Sequence, residues 1–312
     1  MNARVVITGA GGFVCSHIAA ALVDAGFHVL AVDRVFDPLV RWRFSQLAPG
    51  RLVLFEGDLA QLTGETADYL IHGAAVTAEP AERGENPLAN FRSNLDPALS
   101  ALEWAARTGI RLTAVISSGA VFGQPLDAPA DEDTLTFPQT SLYAAAKNAV
   151  DDLVAVLRRR YGVNAVSFRF GNLYGPYERA RATRPRVSRL AALISQALEE
   201  GQLSVNRAAA ARDWTFAPDV GRAIAALLAA PSLGHPLYHV TSGQLITEMD
   251  MAEAIALHLP SVEIVPFEGE RGRSSSLKGE RLREVADFDA WTPLPVGVGM
   301  TIAASQRVSA VG

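Results

Sequence analysis

The sequence lacks the features that mark secreted, membrane-spanning and nucleic-acid-binding proteins. Its 312 residues include one cysteine, which excludes an internal disulfide framework and fits a reducing compartment. No apolar run reaches the roughly twenty uncharged residues of a membrane span, and the alanine-rich stretch Ala223–Ala230 is far too short. A net charge of −5 does not favour a general affinity for nucleic acids or membranes. A strand pattern follows directly after the start, MNARVVITG, so we expect no signal peptide and a cytoplasmic location.

The composition is otherwise that of an ordinary globular protein, with 49% hydrophobic and 20% charged residues. The length suits one large domain or two unequal ones around a sizeable core. The sequence has no internal repeat that would point to a solenoid or an array.

The N-terminal segment Arg4–Asp33 predicts a strand, a helix and a second strand. Arg4–Thr8 is a short β-branched run, Ile18–Val23 is apolar at helical spacing, and His28–Val32 is a second apolar run. A glycine-rich turn separates the first strand from the helix. Its backbone can come close to a diphosphate at the helix N-terminus, where free N–H groups favour an anion. The glycines of this turn are Gly9, Gly11 and Gly12.

Asp33 ends the second strand about twenty residues after the glycines, at the spacing typical of dinucleotide sites. A carboxylate at that place can accept hydrogen bonds from both ribose hydroxyls of an adenine dinucleotide. Arg34, Arg41 and Arg43 follow it and could instead bind a 2′-phosphate. Because Asp33 would repel that phosphate, the sequence favours NAD over NADP.

One position departs from the glycine pattern. A third glycine is expected three residues after Gly12, where it lets the helix pack close to the strand, but Cys15 stands there. We therefore expect a small outward shift of the helix or an altered pyrophosphate pose. We interpret the thiol as a small buried apolar side chain rather than as a nucleophile or a redox group.

Small and polar residues follow the next predicted strands, where a doubly wound sheet places its ligands. Asp58 follows the strand 51–55 and either contacts the adenine or caps the next turn. His72 ends the strand 68–72 and is interpreted as a structural histidine, and the small residues Gly73, Ala74 and Ala75 after it let the chain pass close to a cofactor.

Residues suited to acid–base chemistry follow the fifth predicted strand, 112–116. Ser117 and Ser118 end that strand, and a polar loop, Asp127–Gln139, could cover the site. Tyr143 and Lys147 lie four apart on the next predicted helix and so share one face. An ammonium beside Tyr143 stabilises the phenolate and brings its pKa toward neutrality, which makes it a usable acid or base. The alternative is an ordinary surface Tyr/Lys pair.

Two further features call for partners. Asn94 lies on the predicted helix Pro87–Arg107, on the side that faces the sheet, where an unpaired amide would be costly. The segment Glu178–Arg189 has five arginines and one glutamate, a net charge of +4. Such a run is typical of a solvated loop. Because it follows a strand on the ligand side, it could equally hold a carboxylate or phosphate of a substrate.

Six motifs in chain order resemble the extended short-chain dehydrogenase/reductase superfamily, and within it the NAD-dependent epimerase/dehydratase branch. They are TGAGGFVCSH at Thr8, HGAA at His72, SSGAVFG at Ser117, YAAAK at Tyr143, RFGNLYGP at Arg169 and RDWTFAPDV at Arg212. The resemblance implies an α/β fold, a Rossmann-type doubly wound parallel sheet with a smaller C-terminal α/β substrate lobe. Residues 1–171 plus 213–242 would form the NAD-binding domain, and 172–212 plus 243–312 the substrate lobe.

The resemblance also implies roles for individual residues. Tyr143 would be the catalytic acid/base, Lys147 would tune it and bond the nicotinamide ribose, and Ser118 would hold the reacting oxygen. Asn94 would complete their hydrogen-bond network. The residues expected to contact NAD are Gly9, Gly11, Gly12, Phe13, Val14, Asp33, Arg34, Asp58, Leu59, Ala74, Ala75, Asn94, Ser117, Tyr143 and Lys147. Those expected to contact the substrate are Ser118, Asn172, Arg184 and Arg212. No metal is expected.

The implied chemistry is hydride transfer, with Tyr143 removing the proton from a substrate hydroxyl. Gly119 and Ala120 stand where the dehydratases of the branch carry an acid pair, so elimination of water is not expected. RFGNLYGP and RDW favour a nucleotide-sugar epimerase. An NAD-dependent dehydrogenase of a free sugar or sugar acid stays open, as does a non-catalytic NAD-sensing protein of the same fold. The resemblance also implies a homodimer through the helices around Asn94 and Tyr143.

Overall fold

The computed structural model of the chain describes residues 3–123, 126, 128–136 and 138–311. The strands are β1 (Arg4–Thr8), β2 (His28–Asp33), β3 (Leu52–Glu56), β4 (Tyr69–His72), β5 (Leu112–Ser118), β6 (Ala165–Phe170), β7 (Asn172–Tyr174), β8 (Gln202–Asn206), β9 (Arg212–Phe216), β10 (Leu237–His239), β11 (Leu245–Ile246) and β12 (Glu263–Phe267). The helices are α1 (Phe13–Asp24), α2 (Pro38–Ser45), α3 (Pro80–Arg83), α4 (Pro87–Thr108), α5 (Leu142–Tyr161), α6 (Arg189–Glu200), α7 (Ala217–Ala229), α8 (Glu248–Ala256), α9 (Glu280–Ala286) and α10 (Leu294–Val311).

The main sheet has seven strands in the order β10-β6-β5-β4-β1-β2-β3. Neighbouring strands of this sheet run parallel. The chain winds outward from β1 in both directions, so the strand order reverses between β1 and β4, which is where a doubly wound sheet binds its ligand. The predicted α/β doubly wound fold is confirmed. The glycine turn after β1 and the small residues after β4 lie on the two sides of this crevice.

Helices cover both faces of the main sheet, which explains why its strands are nearly continuous apolar runs. Val5 and Ile7 of β1 face the core under α1 and α7, and Val6 between them faces the opposite core under α4. Helices α1 and α7 pack closely at Gly221, where an ideal Cβ would lie 2.7 Å from the Cβ of Ala21. A larger residue at this position would push the two helices apart.

The C-terminal part contains two small sheets, β11-β9-β7 and β12-β8. Their core draws on α6, α8 and α10, so a second α/β layer forms, as predicted. The boundaries between the two domains, proposed at 171/172, 212/213 and 242/243, stay a prediction. In the described residues, no helix is both long and apolar enough to span a bilayer.

From the sequence, the glycines shortly after Pro293 predict turns at the C-terminus, and the last helix corrects this prediction. Residues Leu294–Val311 instead form α10. Gly297 and Gly299 stand in this helix at places where neighbours come very near. An ideal Cβ at Gly297 would lie 2.5 Å from the Tyr174 hydroxyl, and one at Gly299 2.5 Å from the His258 ring. These glycines permit close packing rather than a turn.

Candidate active site

The glycine turn after β1 comes so close to the chain after β4 that it can hold no side chain. Gly9 has a φ of +70°, and an ideal Cβ there would lie 2.6 Å from both the N and the Cα of Ala74. The turn is closed by a hydrogen bond of 2.9 Å from the Gly12 N–H to the Gly9 carbonyl. Gly12 then starts α1 without a side-chain cap. The first N–H groups of α1, at Phe13 and Val14, are therefore available to an anion.

Asp33 stands beside this turn at the end of β2. Its Oδ2 accepts a hydrogen bond of 2.9 Å from the Gly11 N–H. Burial raises the pKa of the Asp33 carboxyl, and hydrogen bonds from the backbone of Gly11, Val35 and Arg34 oppose that rise. A Cβ at Gly11 would come within 3.0 Å of the Asp33 carboxylate, so a side chain would fill the cradle. The residues present thus fit a dinucleotide, with the diphosphate at the start of α1 and a ribose at Asp33.

The arginines after β2 are engaged by protein groups. Arg34 donates to the Asp58 carboxylate at 2.8 Å, Arg41 pairs with Glu56, and Arg43 donates to the Ser16 hydroxyl at 2.8 Å. Asp58 precedes a short 3₁₀ turn, Leu59–Gln61, in which Leu59 is buried. The Asp58 N–H donates to Gln61 Oε1 at 2.7 Å. This residue therefore begins a turn, and its contact with adenine stays a prediction.

The Cys15 side chain occupies the space next to Gly73. The thiol is buried, and an ideal Cβ at Gly73 would lie 2.1 Å from its Sγ. The place that a side chain at position 73 would fill is therefore taken by the side chain at position 15. Burial is the main cause that raises the pKa of the Cys15 thiol to about 12, so the thiol stays protonated at neutral pH. The interpretation of Cys15 as a buried apolar group is confirmed.

This exchange of volume predicts a coupled pair of substitutions. Gly73→Ala should destabilise the fold by about 2 kcal/mol, because overpacking in a well-packed core costs roughly 1–3 kcal/mol. Cys15→Gly in the same chain should recover most of that loss, because it removes the atom that the new Cβ meets. Urea unfolding of both single variants and of the double variant measures the coupling. If the changes in unfolding free energy of the two single variants simply added in the double variant, the two side chains would not share the same space.

The candidate catalytic residues lie at the end of β5 and on the first turns of α5. The Ser118 side chain lies close enough to Tyr143 to lower the pKa of the Tyr143 hydroxyl. The Lys147 Nζ is buried, donates to the Ile116 carbonyl at 2.8 Å and lies 5.7 Å from the centre of the Tyr143 ring. Ser141 caps α5 by accepting from the Ala144 N–H, which fixes where the helix begins. The structure thus brings Ser118, Tyr143 and Lys147 together, as the sequence predicts.

The electrostatics of Tyr143 differ from the prediction. Burial raises the pKa of the Tyr143 hydroxyl, and the groups that lower this pKa are the hydrogen bond with Ser118 and the charge of Arg184. The Lys147 ammonium instead binds a main-chain carbonyl. A sequence shows that Tyr143 and Lys147 share a helix face, but it does not show which acceptor the ammonium meets.

Asn94 and Ser117 have partners away from this trio. The Asn94 Oδ1 accepts from the Val76 N–H at 2.8 Å and its Nδ2 donates to the Val76 carbonyl at 3.0 Å. The predicted need for a partner is confirmed, and Asn94 fixes the chain just after Ala75. The Ser117 hydroxyl donates to Asp151 at 2.7 Å, in the protein interior. The roles of both residues toward NAD and catalysis stay predictions.

A cavity of about 310 Å³ opens beside Ser118. Its lining includes Asn172 and Arg212, whose contact with a substrate stays a prediction, together with Asp213 and the segment 275–277. The Asn172 Nδ2 donates to the Asp213 carbonyl at 3.0 Å. Burial raises the pKa of the Asp213 carboxyl to about 6. Of the loop predicted to cover the site, Asp127 and Phe137 lie outside the described residues, and Ala130 bridges to Leu277 at the cavity wall.

A dinucleotide cradle, a Ser–Tyr–Lys trio and an adjoining cavity thus lie at one edge of the sheet. A family model described as the NAD dependent epimerase/dehydratase family matches residues 5–240. The chain belongs to this family. NAD is the cofactor that the family uses, in agreement with the cradle at Asp33.

Known members of the NAD dependent epimerase/dehydratase family are distant in sequence and near in fold. The chain is 30% identical over 231 residues to UDP-glucuronate 4-epimerase 1 of Arabidopsis thaliana. The matched region covers 69% of this chain and 52% of that protein. An epimerase of Methanothermobacter thermautotrophicus has a TM-score of 0.85 at 21% identity, covering 99% of this chain and 94% of its own. MoeE5, solved with UDP-glucuronic acid and NAD, has a TM-score of 0.80 at 24% identity, covering 98% and 99%. The chain therefore spans about half the length of the curated relative, and the two structures show the fold.

In this family member, the arginine-rich segment 178–189 is held by acidic side chains. Its ion pairs are Arg179 and Arg181 with Asp37, Arg184 with Glu178, Arg186 with Glu82, and Arg189 with Glu248. The segment is therefore neither a freely solvated loop nor a set of five free cations. Arg184 differs from the others, because its guanidinium lies 5.3 Å from the centre of the Phe13 ring and lowers the Tyr143 pKa. Its predicted contact with the substrate stays a prediction, because the residues that line the cavity beside Ser118 include Asn172 and Arg212 but not Arg184.

Sequence reasoning missed three parts of the site. The segment 275–277 joins the cavity through a bridge between Arg212 and Ser275, and its sequence carries no signal of that position. Asp213 directly follows Arg212, which the sequence predicts to contact the substrate. An acidic residue next to a predicted substrate contact was therefore the available signal. Asp151 lies one helical turn after Lys147, and this helical spacing was the available signal. Among the described residues, no cluster of His, Cys, Asp and Glu is placed to hold a metal ion.

Proposed function

We propose that this chain is an NAD-dependent nucleotide-sugar epimerase. The observation that carries the proposal is that Ser118, Tyr143 and Lys147 come together beside the cavity that Ser118, Asn172 and Arg212 line. The proposal is supported by the matching relatives, whose names are UDP-glucuronate and UDP-glucose 4-epimerases. Gly119 and Ala120 leave the site without an acid pair after Ser118, which favours epimerisation over loss of water.

Bound NAD would supply a reversible hydride acceptor. The residues that would hold it are the N–H groups at the start of α1, Asp33 and, near its reactive end, Lys147. Tyr143 would take the proton of the substrate hydroxyl and return it after the sugar has presented its other face. Ser118 would donate a hydrogen bond to the same oxygen and keep it within reach of Tyr143. Tyr143 is half-buried and burial raises its pKa, so groups of the bound substrate and cofactor that favour the phenolate would assist proton transfer.

Arg184 is the arginine of the segment 178–189 whose charge acts on the candidate reaction site, although it is also paired with Glu178. Its guanidinium lies 5.3 Å from the centre of the Phe13 ring, at the start of α1, and its charge lowers the pKa of the Tyr143 hydroxyl on α5. A cation at that place suits a carboxylate or a diphosphate oxygen of the substrate. UDP-glucuronic acid is therefore the first compound to test, with UDP-glucose as the matched neutral sugar.

A single assay separates the open functions. Purified protein is incubated with NAD and panels of nucleotide sugars, free sugars and sugar acids, while NADH absorbance is recorded and products are separated by chromatography. We expect epimer formation from a nucleotide sugar without net NADH. Net NADH from a free sugar or a sugar acid would establish the dehydrogenase instead, and neither product from any compound would favour the NAD-sensing protein.

The two-domain division, a cytoplasmic location and a homodimer accompany this proposal. Residues 1–171 plus 213–242 would hold NAD, and 172–212 plus 243–312 would hold the nucleotide sugar. The dimer would form through α4 and α5. Light scattering of the purified protein tests the dimer directly.

A further inference from the structure

A buried ion pair lies directly behind the candidate catalytic residues. The Asp151 Oδ2 accepts a hydrogen bond of 2.7 Å from the Ser117 hydroxyl and one of 2.8 Å from Arg169. The side chains of Arg169 and Asp151 are only 3% and 8% exposed. Asp151 Oδ1 is also buried and has no hydrogen-bond partner among the described residues. The negative charge on this oxygen is therefore not offset by a hydrogen-bond donor and can act on neighbouring charged groups.

Stability alone is a weak reason for such a pair. Taking two charges out of water costs several kcal/mol per ion, and apolar residues of similar volume often replace a buried pair without loss. Arg169 also contacts groups that carry no negative charge. Its guanidinium lies 5.1 Å from the centre of the Phe122 ring and 3.3 Å from His239 Nε2. Asp151 is thus the negative group that this buried cation meets, and it lies four residues after Lys147.

Apart from Asp151, the groups around Lys147 carry no negative charge that would stabilise its buried ammonium. The groups around it are the Ile116 carbonyl of β5, His72 of β4, Cys15 of α1, and Tyr143 and Asp151 of its own helix. Burial lowers the pKa of His72 to about 3 and raises the pKa of Cys15 to about 12. Both groups are therefore neutral at neutral pH, and burial also raises the pKa of Tyr143. Within this set, Asp151 is the anion.

We propose that Asp151 is a positioning residue whose buried carboxylate keeps the Lys147 ammonium charged and hydrogen-bonded to the Ile116 carbonyl. Lys147 and Asp151 are hydrogen-bonded to neighbouring residues of β5, Lys147 to the Ile116 carbonyl and Asp151 to the Ser117 hydroxyl. Residues four apart on a helix are neighbours, and the low dielectric of the interior strengthens their interaction. The effect on Lys147 is independent of any substrate, whereas its consequence for turnover rests on the proposed function.

The direction of the effect follows from the charges. Burial lowers the pKa of the Lys147 ammonium to about 8, and Asp151 is the main group that opposes this fall. Without the carboxylate, the pKa should fall further and the amine should become neutral at a lower pH. A neutral Lys147 provides no positive charge beside the Tyr143 ring, so proton transfer by Tyr143 should fail at that lower pH.

The chain allows a direct measurement, because Lys147 and Lys278 are its only lysines. In protein labelled with ¹³C at lysine Cε, two resonances are expected, and Lys278→Arg assigns them. We expect the Lys147 titration midpoint to fall by roughly one pH unit in Asp151→Asn, at the low end of the range for loss of an adjacent opposite charge. Asp152→Asn is the matched control, because Asp152 is the next residue and is exposed. Its substitution should leave the midpoint in place.

A second variant covers the case in which Asp151→Asn unfolds because Arg169 is left unpaired. Asp151→Asn combined with Arg169→Gln removes both charges, and thermal melting shows whether it is folded. We expect the Lys147 midpoint of the folded double variant to stay below that of the unsubstituted protein. An unchanged midpoint in either folded variant would overturn the proposal and leave Asp151 a purely structural residue.

Turnover gives the second readout. If a nucleotide sugar is epimerised, the alkaline limb of the kcat profile should move down by the same interval as the Lys147 midpoint in Asp151→Asn. Absence of turnover in the unsubstituted protein would count against the proposed function, while the NMR titration would still decide the role of Asp151. Normal turnover with a fixed midpoint would count against Asp151 alone.

Discussion

Tyr143→Phe is expected to lower turnover roughly 1000-fold while NAD binding and the melting temperature stay unchanged, because a positioned acid/base contributes about 10²–10⁴-fold. The substitution removes the hydroxyl whose pKa Ser118 lowers and keeps the ring that lies beside Lys147. The loss should therefore appear in kcat rather than in cofactor affinity. Turnover is measured by the epimerisation assay, and NAD affinity by calorimetry.

The matched control for this variant is Tyr161→Phe. Tyr161 ends the same helix, and 74% of its surface is exposed. We expect its substitution to change neither turnover nor stability. Full activity in Tyr143→Phe would show that the Ser118–Tyr143–Lys147 assignment is wrong. Lost NAD binding in the same variant would show that its effect is on the fold of the cofactor site.

Gly9→Ala is expected to destabilise the protein by about 3 kcal/mol and to abolish NAD binding. A left-handed backbone costs a residue with a Cβ roughly 1–2 kcal/mol, and overpacking adds about 1–3 kcal/mol. Both apply here, because φ is +70° and the new Cβ would lie 2.6 Å from the backbone of Ala74. Main-chain atoms cannot move aside as a flexible side chain does. Urea unfolding and calorimetry with NAD measure the two effects.

Gly50→Ala separates the two costs. Gly50 has a φ of +75° with no atom within 4 Å of an ideal Cβ, so it carries only the backbone cost. We expect a loss of about 1 kcal/mol there and normal NAD binding. Equal losses at Gly9 and Gly50 would mean that the contact between the glycine turn and Ala74 is unimportant for stability.

Much of the site could be predicted because its signals are local in the chain. The glycines, Asp33 and the strand–helix–strand order lie within thirty residues, and turn chemistry and apolar periodicity determine such segments. The pair of Tyr143 and Lys147 depends only on helical spacing. The ends of β4 and β5 were predictable because in each case a run of apolar residues is followed by small residues.

The sequence by itself determined the doubly wound sheet, the edge at which ligands bind and the residue types of the catalytic trio. Only the tertiary structure decided how Cys15 fits, which acids hold the arginine-rich segment, and which charge faces Lys147. Gly73 and Glu82 reach these partners through packing of elements far apart in the chain. Asp151 is only four residues after Lys147, but Ser117 of β5 and Arg169 of β6 hold it in the interior. A pKa depends on burial and on such neighbours, so Tyr143 has a raised pKa where spacing alone indicated a lowered one. Local patterns specify elements, whereas the distances between elements set their chemistry.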